Sequence, residues 1–477
     1  MKNIYKITLL LSFLILASCG DEYLNPVPNS VINSANYYTT EEQLETAIIN
    51  MYDGIQGTNV LEDTDSDKTH SVQYEYFITE MRSDNTRTKA SEGEAAEFEN
   101  YSIQTGNGIV ADYYKSMYNI IFRANVVLEN LGVASEANAP KFEAEAKFVR
   151  AYAYFNLVRL WGDVPLIDEL IKVSNTDKQF TRVPSSQIYD FIVSDLQVAA
   201  LNLDNTHIFR ASKRAAQAML AKVYLTRGTN YVEAQQLCEE VMMSGATLQI
   251  NFKDIFYNEG NNELLFAIGY LPDNALDSQN FSTEMLNAVG RQSGLNYVTT
   301  EARAALDAMG GNRTLYSYRQ DPTQPSQYQV VKFLPNGDAN LGIAPTSNDP
   351  RSAGNDWIVL RYADVLLMHV EAIMAGQTST SAQAALDSFE QIRLRAGLTG
   401  DADGVITKEE LLDERRVELA FENHRFFDLV RFGVAQSTLS SFSTDNGYSF
   451  TATDLLLPIP QREINLSNGL LTQNPGY

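Results

Sequence analysis

The sequence predicts an all-α, mainly helical protein, and three observations carry the prediction. Apolar residues recur at spacings of three and four over a series of long stretches; the stretches come in consecutive pairs; and small residues sit where paired helices must approach closely. Together they imply degenerate helix hairpins packed side by side in one globular body, with long irregular loops and little strand.

Taken in order, the chain opens on Lys2 and Lys6, then the apolar run Ile7 to Leu16, then Leu16-Ala17-Ser18-Cys19. The run is too short to cross ~30 Å of hydrocarbon as a helix. It reads as a cleaved export signal over residues 1–18. The cysteine at the cut resembles a bacterial lipobox, which implies acylation of the Cys19 thiol and a lipid-anchored protein. Each buried methylene contributes ~0.8 kcal/mol, so several acyl chains hold firmly where one would not. Gly20-Asp21-Glu22 resembles the acidic step that sends lipoproteins of Bacteroidetes to the outer face of the outer membrane. Residues 19–39, with Pro26 and Pro28 among Asn and Ser, read as a lipidated tether.

Residues 40–477 read as a single globular domain, with a helical-repeat part over about 40–245 and a loop-rich and C-terminal helical part over about 246–477. Thr39 or Thr40 caps a helix whose first turn holds Glu41 and Glu42 and whose apolar face is Leu44, Ala47, Ile48 and Met51. Further helical runs fall at about 111–131, 140–160, 185–203, 211–228, 231–244, 358–376, 381–396 and 407–432. In Ala215 to Leu225 the small residues allow close helix contact while Leu220 and Tyr224 fill the groove, a pattern similar to tetratricopeptide repeats but with an irregular period. Two stretches, 57–108 and 245–357, are irregular, and long loops in a compact helical protein are often functional.

Composition bounds the function. The net charge of −24 argues against nucleic acid, whose phosphates need a basic surface. The only cysteine besides Cys19 is Cys238, so stability must come from an apolar core, for which 44% hydrophobic content is ample. No Gly-x-Ser-x-Gly elbow, His-Glu-x-x-His zinc helix or phosphate loop is present, and the histidines number four: His70, His207, His369 and His424.

Four blocks carry a resemblance. Phe148 to Leu166 (FVRAYAYFNLVRLWGDVPL), Leu360 to Ala372 (LRYADVLLMHVEA), Glu414 to Gly433 (ERRVELAFENHRFFDLVRFG) and Leu457 to Gln461 (LPIPQ) resemble the SusD/RagB family of outer-membrane nutrient-binding lipoproteins, in order from the lipobox to Tyr477. The same blocks have a plain physical reading. Gly162 is a helix C-cap with Pro165 preventing continuation, and Arg415, Arg416, Glu418, Glu422, Arg425, Asp428 and Arg431 make ladders of opposite charge on one helix. His424 reads as orienting that helix rather than reacting.

The resemblance implies a non-catalytic receptor that binds an oligosaccharide, or in some lineages a peptide, and sits as a hinged lid on a SusC-like TonB-dependent transporter. A sugar site wants aromatic platforms with polar groups at the edges. Tyr76, Arg82, Asp84 and Asn85 from the first loop, and Tyr270, Tyr297 and Tyr318 from the second, are the expected glycan contacts; Trp161 and Trp357 fall in framework blocks. A surface glycoside hydrolase is the competing class, since 60 acidic residues offer many carboxylate pairs, but nothing selects one. Thr399 to Glu410 imitates a calcium loop, with Thr399 where the first Asp ligand belongs. The plain reading is a turn leading to a helix capped by Thr407, so no metal or other cofactor is expected.

Overall fold

Thr40 caps helix α1 (Glu41–Gln56) through a reciprocal box: its hydroxyl accepts the Gln43 N–H, and the Gln43 side chain accepts the Thr40 N–H. The face read from the spacing, Leu44, Ala47, Ile48 and Met51, is buried. In this computed structural model the described residues are 37–57, 71–89, 91–274, 277–290, 294, 296–400 and 403–477. The export signal, Cys19 and most of the tether lie outside them, as does His70.

After α1 come α2 (Ser71–Thr79), α3 (Gly108–Glu129), α4 (Ala139–Trp161), α5 (Ser185–Asn202), α6 (Lys213–Arg227) and α7 (Tyr231–Met242). The second half adds α8 (Thr300–Met309), α9 (Tyr362–Met374), α10 (Gln383–Arg395), α11 (Lys408–Glu418), α12 (Arg425–Arg431) and α13 (Ala435–Asp445). Helices α3 to α7 pack each on the next, and α9 then seats on α7 and carries α10. Close approach at the α6–α7 hairpin follows from Ala215, Ala216, Ala218, Ala221, Ala234 and Cys238, all buried without a bulky side chain. One apolar core runs from Leu44 to Leu471.

Strand content is small. Among the described residues, β1 (Thr86–Arg87) pairs antiparallel with β3 (Tyr297–Val298), β2 (Leu264–Ile268) with β6 (Trp357–Arg361), and β4 (Tyr318–Gln320) with β5 (Tyr328–Val330).

Two helical runs differ from their sequence expectation. The run at 358–376 begins as β6, because Ile358 and Leu360 pair with β2, and the N–H of Tyr362, the first residue of α9, still bonds the Glu263 carbonyl. The run at 407–432 is two helices, broken over 419–424 where Phe421 and Asn423 adopt φ of +66° and +61°. Its charges mostly do not form a surface ladder, since they are buried and each takes partners from other elements.

Those partners make an ionic lattice. Arg361 reaches Glu422 at 2.7 Å, Glu418 at 2.6 Å and Glu263 at 2.9 Å. Arg313 holds Glu414 at 2.6 Å and Glu418 at 2.9 Å, Lys332 holds Glu422 at 2.6 Å, and Arg395 holds Glu263 at 3.3 Å and also Glu418. Burial alone would raise the Glu418 carboxyl; the facing Arg395, Arg361 and Arg313 outweigh it and hold it well below the usual range. Beside it, Asp364 lies between Lys222 at 2.9 Å and Arg415 at 2.8 Å, and Arg415 crosses the helix break to Asp428 at 2.9 Å.

Helix α4 ends as the sequence predicts. Gly162 stands at φ +72°, ψ −120°, its N–H bonded to the Val158 carbonyl, and a Cβ there would lie 3.2 Å from Leu456 Cδ1. That backbone conformation belongs to glycine. Gly162→Ala should therefore lower the unfolding free energy by about 1–3 kcal/mol, read by urea denaturation followed by circular dichroism.

Candidate functional site

The site is built on the turn after α2. Glu80, fully buried, accepts the Asn85 amide at 2.9 Å and the Phe421 N–H at 3.1 Å on one carboxyl oxygen. Asp84 receives a bidentate Arg425 at 2.8 and 2.9 Å and Arg416 at 3.0 Å. Burial pushes its carboxyl up, but the two guanidiniums outweigh burial and hold it well below the ordinary range. The Asp84 carbonyl accepts the Thr299 hydroxyl at 2.8 Å, and the Asn85 carbonyl accepts the Thr299 N–H at 3.0 Å. This clamp sets the register of β1 on β3, which places Arg87 opposite Tyr297.

A half-buried band follows from that pairing. The Arg87 guanidinium stands 5.7 Å over the Tyr297 ring, donates to Asn446 Oδ1 at 2.7 Å and pairs with Glu99 at 3.2 Å; Tyr448 donates to Glu99 at 3.3 Å. Thr299 caps α8, accepting the Ala302 N–H at 3.1 Å, and α8 carries Arg303 to 3.8 Å above the Tyr328 ring. Tyr328 meets Tyr318 edge to face at 5.8 Å, and the Tyr318 hydroxyl donates to Asp307 at 2.6 Å. Strand β3 lies against β5, so both arginine–tyrosine pairs belong to one loop surface. Beneath it, buried Asp321 accepts the Gln329 amide at 2.7 Å and the Thr323 N–H at 2.7 Å.

The seven expected glycan contacts separate into two groups. Tyr297 and Tyr318 lie on this band and remain partly exposed. Tyr76, Arg82, Asp84, Asn85 and Tyr270 are buried and packed or bonded within the protein, so their side chains present no surface to a ligand. Tyr76 packs edge-on to Trp357, Arg82 stacks 4.2 Å over Phe426, and the Tyr270 hydroxyl donates to the Gln56 carbonyl at 3.2 Å. In the fold they are packing and framework groups. The expected contacts did not include Arg87, Arg303, Tyr328, Glu99 and Tyr448, and the one signal that could have singled out Tyr328 is the short alternating segment Tyr328 to Val330 following Tyr318. Trp161 and Trp357 are both buried, Trp161 donating its indole N–H to the Pro458 carbonyl at 2.9 Å.

A larger cleft, about 740 Å³, opens between α3 and the C-terminal segment. Tyr114, Tyr118, Phe122, Phe180 and Leu466 make it mainly hydrocarbon, and the Asn125 amide that reaches it is consumed by the Ile167 and Glu169 carbonyls. Lys115, Glu169, Gln179 and Glu463 also line it, but it carries none of the arginine-on-tyrosine pairs of the band.

His424 is buried and pushed down to about 3 by burial and by Lys222, whose ammonium stands 3.4 Å from Nδ1, so it is a neutral packing group. In the calcium-like loop, Asp401 and Ala402 lie outside the described residues; Thr407 caps α11, and Glu410 spends its carboxylate on the Thr407 N–H at 2.8 Å and hydroxyl at 2.6 Å. Among the described residues, no three His, Cys, Asp or Glu side chains are grouped to hold a metal, and no helix is long and apolar enough to cross a membrane.

The family model for the SusD family matches residues 285–477, and a second one, described as starch-binding associating with outer membrane, matches residues 22–225. The chain belongs to the SusD/RagB family. Among relatives, it is 26% identical to a SusD-like protein P2 of Formosa agariphila over 99% of both chains, and 28% identical to a SusD-like protein of Bacteroides ovatus over 87% of this chain and 80% of that one. A solved laminarin-binding SusD-like protein superposes with a TM-score of 0.75 at 25% identity, covering 92% of this chain and all of that one. In this SusD/RagB chain, the Leu360–Ala372 and Glu414–Gly433 blocks supply part of the lattice and the two arginines of the clamp, while the half-buried band comes from the loops.

Glu80 gives the clamp a titration. Burial raises its carboxyl to about 7 against the hydrogen bonds from Asn85 and Phe421. A folded value above the unfolded one means that the cost of ionising it is absent below about pH 4.5 and complete above pH 7. Glu80→Gln should therefore gain on the wild type by roughly 3 kcal/mol between pH 4.5 and 8, measured by urea unfolding at each pH.

Proposed function

We propose that this protein is a cell-surface lipoprotein, anchored through acylated Cys19 in the outer membrane, that binds an oligosaccharide and delivers it to a SusC-like TonB-dependent transporter as its lid. The observation that carries the binding reading is the band of Tyr297, Tyr328 and Tyr318, with Arg87 and Arg303 lying on two of the rings and Asp307, Glu99 and Asn446 at their edges. Sugars present C–H faces and hydroxyl rims, and aromatic rings flanked by charged and amide groups match both.

The laminarin-binding neighbour supports a saccharide ligand, and the outer-membrane description of the N-terminal family model supports the location. The role needs no chemistry: the band offers hydrogen-bonded carboxylates rather than a free acid and base. A lid that closes on its cargo requires contacts with the barrel that differ between open and closed states by more than thermal energy.

A glycan array on the acyl-free chain beginning after Cys19 should identify bound saccharides. Tyr328→Ala and Tyr297→Ala should each weaken the best ligand by tenfold or more in calorimetry, with melting temperatures near that of the wild type. Peptides bound with every glycan silent, or reducing ends released from the bound glycan, would overturn the reading.

A further inference from the structure

Arg303 stands apart from the other arginines around it. Every other arginine from Arg313 to Arg431 has a carboxylate within 4.0 Å. Among the described residues Arg303 has none, in a chain with 60 acidic and 36 basic side chains. Its contacts are the Tyr328 ring at 3.8 Å and one hydrogen bond, from Nη2 to the Thr300 hydroxyl at 3.2 Å.

The nearby acids make no direct ion pair with it. Asp307, one turn along α8, accepts the Tyr318 hydroxyl, Asp321 is buried on amides and backbone, and the charge of Glu301 acts on Arg416. A guanidinium held over an aromatic ring loses orientational freedom, and its remaining N–H edge is a planar fork suited to two acceptor oxygens of one anion. In an acidic protein such a cation, left without a directly paired carboxylate on the proposed binding band, is a recognition element for negative charge.

We propose that Arg303 reads an anionic substituent, a carboxylate or a sulfate ester, on the saccharide bound by the tyrosine band. The proposal rests on the glycan-binding reading and adds the substrate class to it: an acidic oligosaccharide rather than a neutral one.

Matched hexasaccharides test it. Laminarihexaose and cellohexaose, each neutral, oxidised to the carboxylate at C6, or 6-O-sulfated, are titrated into the wild type, Arg303→Gln, Arg303→Lys and Tyr328→Ala. At least one charged form should bind the wild type tenfold or more tightly than its neutral parent, with the preference between carboxylate and sulfate naming the source of the charge. Arg303→Gln should bring that ratio close to one, and Arg303→Lys should keep part of it. A wild-type ratio of one, or a ratio that survives in Arg303→Gln, overturns the anion proposal. If Tyr328→Ala still weakens the neutral sugars in that case, the glycan-binding reading stands alone; no binding by any of the six overturns the anion proposal, and the glycan array then decides the glycan-binding reading. Circular dichroism of each variant guards against loss of fold.

Discussion

The buried ionic lattice around Arg361 and Glu418 is the constraint on which the rest of the molecule depends. Ions taken out of water cost several kcal/mol each, and the cost is recovered when every charge finds partners at good geometry. Here Glu263 comes from β2, Arg313 and Lys332 from the loop-rich stretch, Arg361 from β6, Arg395 from α10, and Glu414, Glu418 and Glu422 from α11 and the break that follows it. Removing one member strands its neighbours as uncompensated charges, so elements distant in sequence are forced to assemble together. The same requirement explains the interruption of the helical run at 407–432, because Glu422 must turn inward to reach Lys332 and Arg361.

The clamp at Asp84 extends this logic to the surface. Arg416 and Arg425, on either side of the helix break, converge on one carboxylate, and the backbone beside it bonds Thr299. A short two-residue ladder would be marginal alone. Anchored by the clamp, β1 and β3 hold the Arg87–Tyr297 pair, and the capped α8 holds Arg303 on Tyr328. The half-buried band is thus a consequence of buried electrostatics a few residues away. An overall charge of −24 says little about it, since local cations over aromatic faces act at contact range, whereas net charge governs long-range fields.

Legibility divided along the range of the interactions. Helix positions and caps were readable because periodicity and capping act within four residues: Thr40, Gly162 and Thr407 do locally what their neighbours require. The strand at Trp357–Arg361 was not, because an apolar run of that length is ambiguous until its partner β2, about ninety residues earlier, is in place. Of the site, Tyr297 and Tyr318 were named from their loop and lie on the band. Glu80 to Asn85 carried polar and charged types suited to a ligand, yet those groups point inward, and the reason lies 341 residues away in Arg425.

The amino-acid order by itself determined the helical class, the hairpin pairing, the family blocks and the absence of familiar catalytic motifs, since these are properties of spacing and residue type. Tertiary structure alone decided which polar side chains became framework and which stayed at the surface. That choice depends on where opposite charges meet once the chain is folded, and Asp84, clamped between two arginines, and Arg303, left without a carboxylate, are its two outcomes.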